Sequence, residues 1–172
     1  MPCDVTKGRA LPCKESRIGI KSVDFAVFKD AVFTITAGEV TAIPLAVTAV
    51  FRYQVKGTGN KFEDVGTINQ ENRTVEFKST LSLVLPKLGA TSDVELSALL
   101  YGRVYAFVKD FNGNVIVCGI ESGMEATVMN KSTDTQGYSI TLEALDKVVS
   151  PHLSSTAKTA LEVLVSATNV AP

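Results

Sequence analysis

The segment from Val104 to Val117 constrains the fold of this chain most strongly. Two runs of β-branched and aromatic residues lie on either side of Asn112-Gly113. An Asn-Gly pair in this setting predicts a tight β-hairpin, because both central positions of a type I′ turn need a positive φ. Upstream, Ser92 and Glu95 have the spacing of a helix capping box and precede an apolar stripe. We therefore expect a helix of about two to three turns followed by a hairpin.

Apolar and polar residues alternate along several other segments, which predicts strands with one buried face. The longest such segment is Thr74 to Leu85, whose apolar and buried face includes Val75, Leu81 and Leu83 and whose polar face carries Glu76, Lys78, Thr80 and Ser82. Its length suits a long strand of a barrel or a wide sandwich. The other predicted strands cover residues 18–28, 31–36, 51–56, 119–129, 138–144 and 161–165. The chain is therefore predicted to be mainly β.

The 172 residues predict one domain, from 18 to 165, between loose ends. Residues 1–17 carry prolines and a glycine among charges, which is typical of an arm, and residues 166–172 are a C-terminal tail. Within the domain, residues 57–73 are the most polar stretch, yet Phe62, Val65 and Ile68 recur through it. We interpret this stretch as an extended hairpin or flap.

Charge and hydrophobicity narrow the function classes. The chain has 17 basic and 18 acidic residues without a dense basic cluster, which disfavours sequence-specific nucleic-acid binding. Hydrophobic residues make up 45% and charged residues 20%, so the apolar excess requires a large core or burial against other subunits. We expect no secretory signal, because no apolar region follows the basic residues of the opening segment. We also expect no membrane anchor, because the most apolar window, Val40 to Phe51, is broken by Pro44.

Few residues carry catalytic or metal-binding chemistry. His152 is the only histidine, and it follows a proline in a loop-like stretch. The pairs Glu63-Asp64 and Glu121 with Glu125 are expected by chance among eighteen acids. We therefore predict that the protein is not an enzyme.

The three cysteines do not indicate a disulfide scaffold. Cys118 ends a predicted strand and is expected to be a small buried hydrophobe. Cys3 and Cys13 bracket a polar stretch and could pair or share a metal, although no other cysteine or histidine nearby completes a tetrahedral site. We expect no metal and no cofactor.

The order of these elements from Lys61 to Pro151 resembles the tail-tube and tail-ring proteins of tailed bacteriophages. The resemblance lies in the polar flap, the long strand, the short helix from Ser92 to Tyr101, and the Val-Lys-Asp-Phe-Asn-Gly-Asn hairpin. It continues through Gly119-x-x-x-Gly123 and the strand Gly-Tyr-Ser-Ile-Thr-Leu-Glu-Ala-Leu. The opening Cys-Asp-Val-Thr-Lys-Gly and Leu-Pro-Cys-Lys segments are similar to short structural proteins of phages that infect Bacteroidetes, including the crAss-like group.

The resemblance implies an antiparallel β-sandwich or half-barrel with one flanking α-helix. It implies a virion tail protein, assembled in the bacterial host cytoplasm, that forms a ring of six or twelve copies. The ring would surround a channel through which genomic DNA passes without sequence recognition, and other tail or portal-vertex proteins would be its partners. The N-terminal arm would be a further interface element.

The same resemblance assigns roles to particular residues. The strand Thr74 to Leu85 would line or brace the channel through Glu76, Lys78, Thr80 and Ser82. The flap would reach a neighbouring subunit through Phe62, Glu63, Asp64, Val65, Ile68 and Arg73.

One alternative is a carbohydrate- or receptor-binding β-sandwich module of a virion or cell surface, since sandwiches host such sites readily. Glycan-binding sandwiches usually present aromatic platforms, and this chain has no tryptophan and four tyrosines that are scattered or lie in strand patterns. An enzyme is the third alternative, and the missing catalytic residues disfavour it.

Overall fold

Two β-sheets form the framework of the protein in the computed structural model, which describes residues 8–9 and 17–168. Two helices, α1 (Ala90–Tyr101) and α2 (Ser155–Thr168), accompany them. The strands in chain order are β1 (Ile20–Val27), β2 (Ile35–Thr36), β3 (Glu39–Val40), β4 (Phe51–Gln54), β5 (Lys61–Asn69), β6 (Thr74–Pro86), β7 (Val104–Asp110), β8 (Val115–Cys118), β9 (Glu125–Ser132), β10 (Gly137–Asp146) and β11 (His152–Leu153).

The larger sheet has seven strands in the order β2-β3-β11-β8-β7-β1-β4, and the smaller has four in the order β5-β6-β10-β9. All neighbouring strands are antiparallel except β3 and β11, which run parallel. The predicted mainly β sandwich is therefore confirmed, with one parallel pair near an edge of the larger sheet.

The main core lies between the two sheets. Val23 and Phe25 of β1 belong to the same buried cluster as Leu81 of β6 and Ile140 of β10. Leu96 and Leu99 of α1 also belong to this cluster. The apolar residues that alternate along β6 and β10 thus become one wall of a sandwich, as predicted.

A second core lies on the other face of the seven-stranded sheet. Tyr105 and Phe107 of β7 and Val117 of β8 are fully buried there against α2. The prediction that the first strand has a single buried face is therefore wrong, because β1 is covered on both faces along most of its length. The larger sheet is the middle layer of the molecule.

The helix α2 replaces the strand that was predicted for residues 161–165. Ala157, Leu161 and Val165 are buried at intervals of four residues, whereas Val163 is 63% exposed. The buried residues therefore follow the period of a helix, and the apolar residues at every second position from Leu161 to Val165 do not indicate a strand. Ser154 starts the helix, because its hydroxyl accepts the N–H of Ala157 at 3.3 Å. Two helices thus flank the sheets instead of one, and the predicted tail is helical through Thr168.

The helix α1 is confirmed, but its predicted capping box is wrong. The helix begins after Gly89, so Ser92 lies inside the first turn, and no side chain caps the helix start. Instead, the Tyr138 hydroxyl accepts the Gly89 N–H at 3.2 Å and donates to Asp93 at 2.5 Å. Lys131 of β9 donates to the same carboxylate at 2.7 Å. The smaller sheet therefore fixes the N-terminus of the helix.

None of the helices within the described residues is long and apolar enough to span a membrane.

The predicted hairpin of residues 104–117 is confirmed as β7 and β8, but its turn differs from the prediction. Only Gly113 has a positive φ, of 83°, while Asn112 does not. The Asp110 carboxylate accepts the N–H groups of Asn112 and Asn114 at 2.8 and 2.7 Å, which shapes a longer loop. The hydrogen bonds of the Asp110 side chain thus hold this turn, which does not need a second residue with a positive φ.

The type I′ signature occurs in the chain at Ala37 and Gly38 instead. Both residues have a positive φ, of 53° and 84°, between the two-residue strands β2 and β3. The strand predicted for residues 31–36 is confirmed only as Ile35–Thr36. The preceding backbone is held by other groups, since Ala31 donates to the Tyr105 hydroxyl at 2.9 Å and Phe33 packs in the second core.

An ion-pair network attaches α2 to the larger sheet. The Arg52 guanidinium contacts the buried Asp24 carboxylate at 2.7 Å and Glu162 of α2 at 2.9 Å, and Lys109 contacts Glu162 at 2.7 Å. The hydrogen bond from Arg52, together with that from Lys109, lowers the pKa of Glu162 to about 2 although partial burial opposes the shift. Arg52, on the polar face of the strand predicted for residues 51–56, is thus mostly buried in contacts between the sheet and α2.

We expect Arg52→Met to destabilise the protein by roughly 3–5 kcal/mol, because Asp24 would be left buried without its counter-charge. The free energy of unfolding from urea denaturation measures the change. Lys56→Met, at an exposed lysine beyond the same strand, should change it by less than about 0.5 kcal/mol. Equal effects of the two variants would contradict the role given to the network.

Glu162 also predicts how stability depends on pH. Its pKa falls from an ordinary 4.5 to about 2 on folding. The unfolded chain therefore binds the proton first as the pH drops, and the stability that Glu162 contributes above pH 4.5 is lost between these values. The difference in unfolding free energy between wild type and Glu162→Gln should shrink over that window. Glu39→Gln, at an exposed glutamate outside the network, is the control, and a difference independent of pH would refute the assignment.

Candidate functional site

The β5–β6 hairpin extends past the rest of the smaller sheet. β5 pairs with β6 from Lys61 opposite Ser82 to Asn69 opposite Thr74. The pairing of β10 with β6 stops earlier, at Asp146 opposite Phe77. Residues 67–76 therefore project beyond the sheet, and every one of them is exposed. We call this projecting part the hairpin tip.

The residues predicted for a flap divide between the sandwich and its surface. Phe62 lies opposite Leu81 and packs against the main core. Asp64, two residues on, points the same way and is held by hydrogen bonds. Glu63 and Val65 lie on the opposite, outward face. The segment is therefore a regular edge strand at its start, and only its far end projects.

Asp64 belongs to a buried polar cluster at the junction of the two sheets. Its carboxylate accepts the Ser150 N–H at 2.7 Å and the Ser79 hydroxyl at 3.3 Å, and the two serine hydroxyls lie 3.0 Å apart. Cys118 lies beside this cluster, where burial raises the pKa of its thiol despite a hydrogen bond with Ser150. The cluster links β5 to the chain before β11 and is structural.

The hairpin tip carries exposed apolar side chains and a cation. Ile68 and Val75 are opposite each other and are 69% and 44% exposed. Val75 was expected on a buried face, and it shares the inward direction of Leu81, but the core ends before it. Arg73 lies in the turn with a positive φ of 51°. At the base of the tip the Phe77 ring covers Gly66, where a Cβ would come within 3.0 Å of it.

The outer face of the smaller sheet is polar and rich in hydroxyl groups. Register places the predicted channel residues Glu76, Lys78, Thr80 and Ser82 together on this face, as expected. The neighbouring strands add Thr67, Ser139 and Thr141.

Acidic residues outnumber basic ones on this face. The strands contribute two lysines and four glutamates, which gives −2: Lys61, Lys78, Glu63, Glu76, Glu125 and Glu143. Lys78 pairs with Glu143 at 2.9 Å and Lys61 with Glu63 at 3.0 Å. From outside the sheet, Arg103 approaches Glu125 to 3.9 Å. The face combines internally paired charges with an acidic remainder.

The smaller sheet has two long free edges, β5 with nine residues and β9 with eight. Because each of its three junctions is antiparallel, β5 and β9 run in opposite directions. Both edges carry exposed apolar side chains on the outer face, with Val65 55% and Val128 57% exposed. The sequence predicted a strand at β9 but gave it no part in an interface.

The structure also places the other residues that were considered for catalysis or metal binding. No group of three or more histidine, cysteine or acidic side chains within the described residues is arranged to hold a metal. His152 is exposed on β11, and Glu121 accepts a backbone N–H from Lys147 at 3.0 Å. Cys3 and Cys13 lie outside the described residues.

Comparison with known proteins gives no match. No protein-family model, no curated protein and no solved structure matches this chain. The resemblance to phage tail proteins therefore stays a prediction from the sequence.

Adjacent carboxylates of β5 should differ sharply in their effect on stability. We expect Asp64→Ala to cost about 1–3 kcal/mol, because it leaves the Ser150 N–H without an acceptor and removes one of the two hydrogen-bond partners of the buried Ser79 hydroxyl. Glu63→Ala removes only an exposed pair and should change the unfolding free energy by less than about 0.5 kcal/mol. Urea denaturation of both variants measures the difference. An Asp64→Ala protein as stable as the wild type would contradict the structural role given to Asp64 at the start of β5.

Proposed function

We propose that this protein is a structural subunit of a bacteriophage tail, which assembles head to tail into a ring around the channel for DNA. The observation that carries the proposal is the pair of long free edges on the smaller sheet, one running up and the other down. Genomic DNA and other tail or portal-vertex proteins would be its partners in the virion.

The strand directions favour head-to-tail pairing. If β9 of one copy lies beside β5 of the next in the same orientation, the two strands are antiparallel, so the sheet continues without a break in its alternation. Such a contact uses different surfaces on the two partners, and it generates a ring when the rotation closes. Every copy then satisfies the edge groups of its neighbours.

The exposed edges themselves support association. A free monomer usually protects its edges with charges, prolines or bulges, because unpaired strands template aggregation. β5 offers nine residues without proline or bulge, and it exposes Val65 and Ile68 beside the mutually paired Lys61 and Glu63. β9 has one bulge, near Thr141 of its partner strand, and exposes Val128. Burial of these edges also accounts for part of the apolar excess of the composition.

The outer face of the same sheet suits a channel wall. Its hydroxyl groups and acidic remainder offer no cationic site for phosphates, so DNA could slide past it without binding. The lysines on this face are engaged by neighbouring glutamates. Glu76, Lys78, Thr80 and Ser82 would then face the channel, and contact with DNA would be independent of sequence.

We expect Val65→Lys and Val128→Lys to abolish ring formation separately, because a charge on either edge opposes strand pairing. Native mass spectrometry and electron microscopy of the concentrated full chain report the assembly. Both valines are exposed, so the thermal midpoint of the monomer should change by only a few degrees, on the order of a 1 kcal/mol effect at most.

Val163→Lys on α2 is the matched control, since this valine is 63% exposed and lies away from both edges. The control should assemble as the wild type does. A wild-type protein that stays monomeric at high concentration, or edge variants that still form rings, would overturn the proposed function.

A further inference from the structure

A groove of about 510 Å³ lies between α1 and the edge strand β4 of the larger sheet. Its apolar walls include Val27, Phe51 and Val94, which are 55%, 44% and 72% exposed. A second hollow of about 640 Å³ continues along β4 and shares Phe51, Tyr53 and Glu95 with the first. Because β4 pairs only with β1, this edge of the sheet is also open.

The groove holds one acidic side chain at the point where the two hollows meet. Glu95 lies on α1 and lines both of them. The groove also contains Arg103, which pairs with Glu125 at 3.9 Å, and the second hollow contains Lys87 and the ion-paired Arg52. Glu95 is exposed and forms no ion pair with the residues that the structure describes. An occupant that fits this groove would therefore bring apolar side chains and one cation.

The hairpin tip has this chemistry. Ile68 and Val75 form an exposed apolar pair, and Arg73 lies next to them in the turn. The side chain of Arg73 forms no ion pair within the described part of the chain. The tip and the groove share no residue, so one copy presents both a projecting and a receiving surface.

We propose that the hairpin tip of one copy binds in the α1–β4 groove of another. Ile68 and Val75 pack against Phe51 and Val94, and the Arg73 guanidinium pairs with the Glu95 carboxylate. This contact rests on the proposed function in that the partner is a second copy of the chain. The receiving surface, the α1–β4 groove, contains no residue of β5 or β9 and is therefore separate from the edge contact.

Photo-crosslinking tests which surface receives the tip. A benzophenone-bearing phenylalanine analogue is placed at position 68 of the full chain, and ¹⁵N-labelled and unlabelled copies are mixed before irradiation. We expect crosslinks between copies of different label, on peptides that contain residues 51–53 or 94–98. Crosslinks within one copy, which would make the groove a site for the chain's own hairpin, overturn the proposal, as do crosslinks to other surfaces.

Charge exchange tests the ion pair. We expect Arg73→Glu and Glu95→Arg each to weaken association by about tenfold, and the double variant to restore most of the loss. Sedimentation velocity over a range of concentrations measures this. Lys56→Glu, at another exposed cation, is the control and should leave association unchanged. Single variants that associate like the wild type, or a double variant weaker than both, would contradict the pairing.

The two proposals fail in different ways. Rings whose position-68 crosslinks lie outside the groove would overturn the docking of the tip and leave the proposed function in place. Groove crosslinks in dimers or open chains that never close into rings would support the docking and overturn the proposed function.

Discussion

The burial of the seven-stranded sheet on both faces is the constraint on which the rest of the structure depends. Its central strands β1, β7 and β8 separate two cores, so one side of the sheet must receive the smaller sheet and the other must receive α2. This leaves the smaller sheet as the outer layer. Its outward face is consequently not covered by any other sheet or helix of the described residues, and its two edge strands pair with no further strand among them.

Polar groups between the layers determine how those layers meet. Arg52 joins Asp24 of the sheet to Glu162 of α2, and Asp64 joins β5 to the backbone of Ser150. Such buried charge contacts contribute little stability over an apolar contact of the same size, but they allow few alternative arrangements. They lie apart from the hairpin tip, so the exposed tip rests on a base that is fixed.

The sequence predicts the smaller sheet better than the rest of the fold. β6 and β10 have one face toward the core and one toward solvent, so apolar and polar residues alternate along them. Alternation failed where a second core covers both faces of β1, and at Leu161, Val163 and Val165, where the same spacing also fits a helix. The role of Asp110 in the hairpin turn was missed, because it depends on where a side chain folds back.

The candidate site was predicted only in part. The polar face through Glu76 and Ser82 followed from the alternation, whereas the roles of Phe62 and Asp64 did not, because a polar segment gives no sign of which residues turn inward. The proposed pairing of β5 with β9 of another copy was also beyond the sequence. Strands that are neighbours across an assembly leave no local pattern, since each forms its own ladder with a different inner strand.

The even number of strands in the smaller sheet limits how such a protein can vary. Because opposite edges of four antiparallel strands point in opposite directions, loss or gain of a single strand would make the joined edges parallel in a head-to-tail array. Strands could then be added or removed only as whole hairpins. Removal of the whole β5–β6 hairpin would take Leu81 and Leu83 out of the main core. The hairpin tip, which projects beyond the sheet, is therefore the part of the chain whose length can change with the least disturbance.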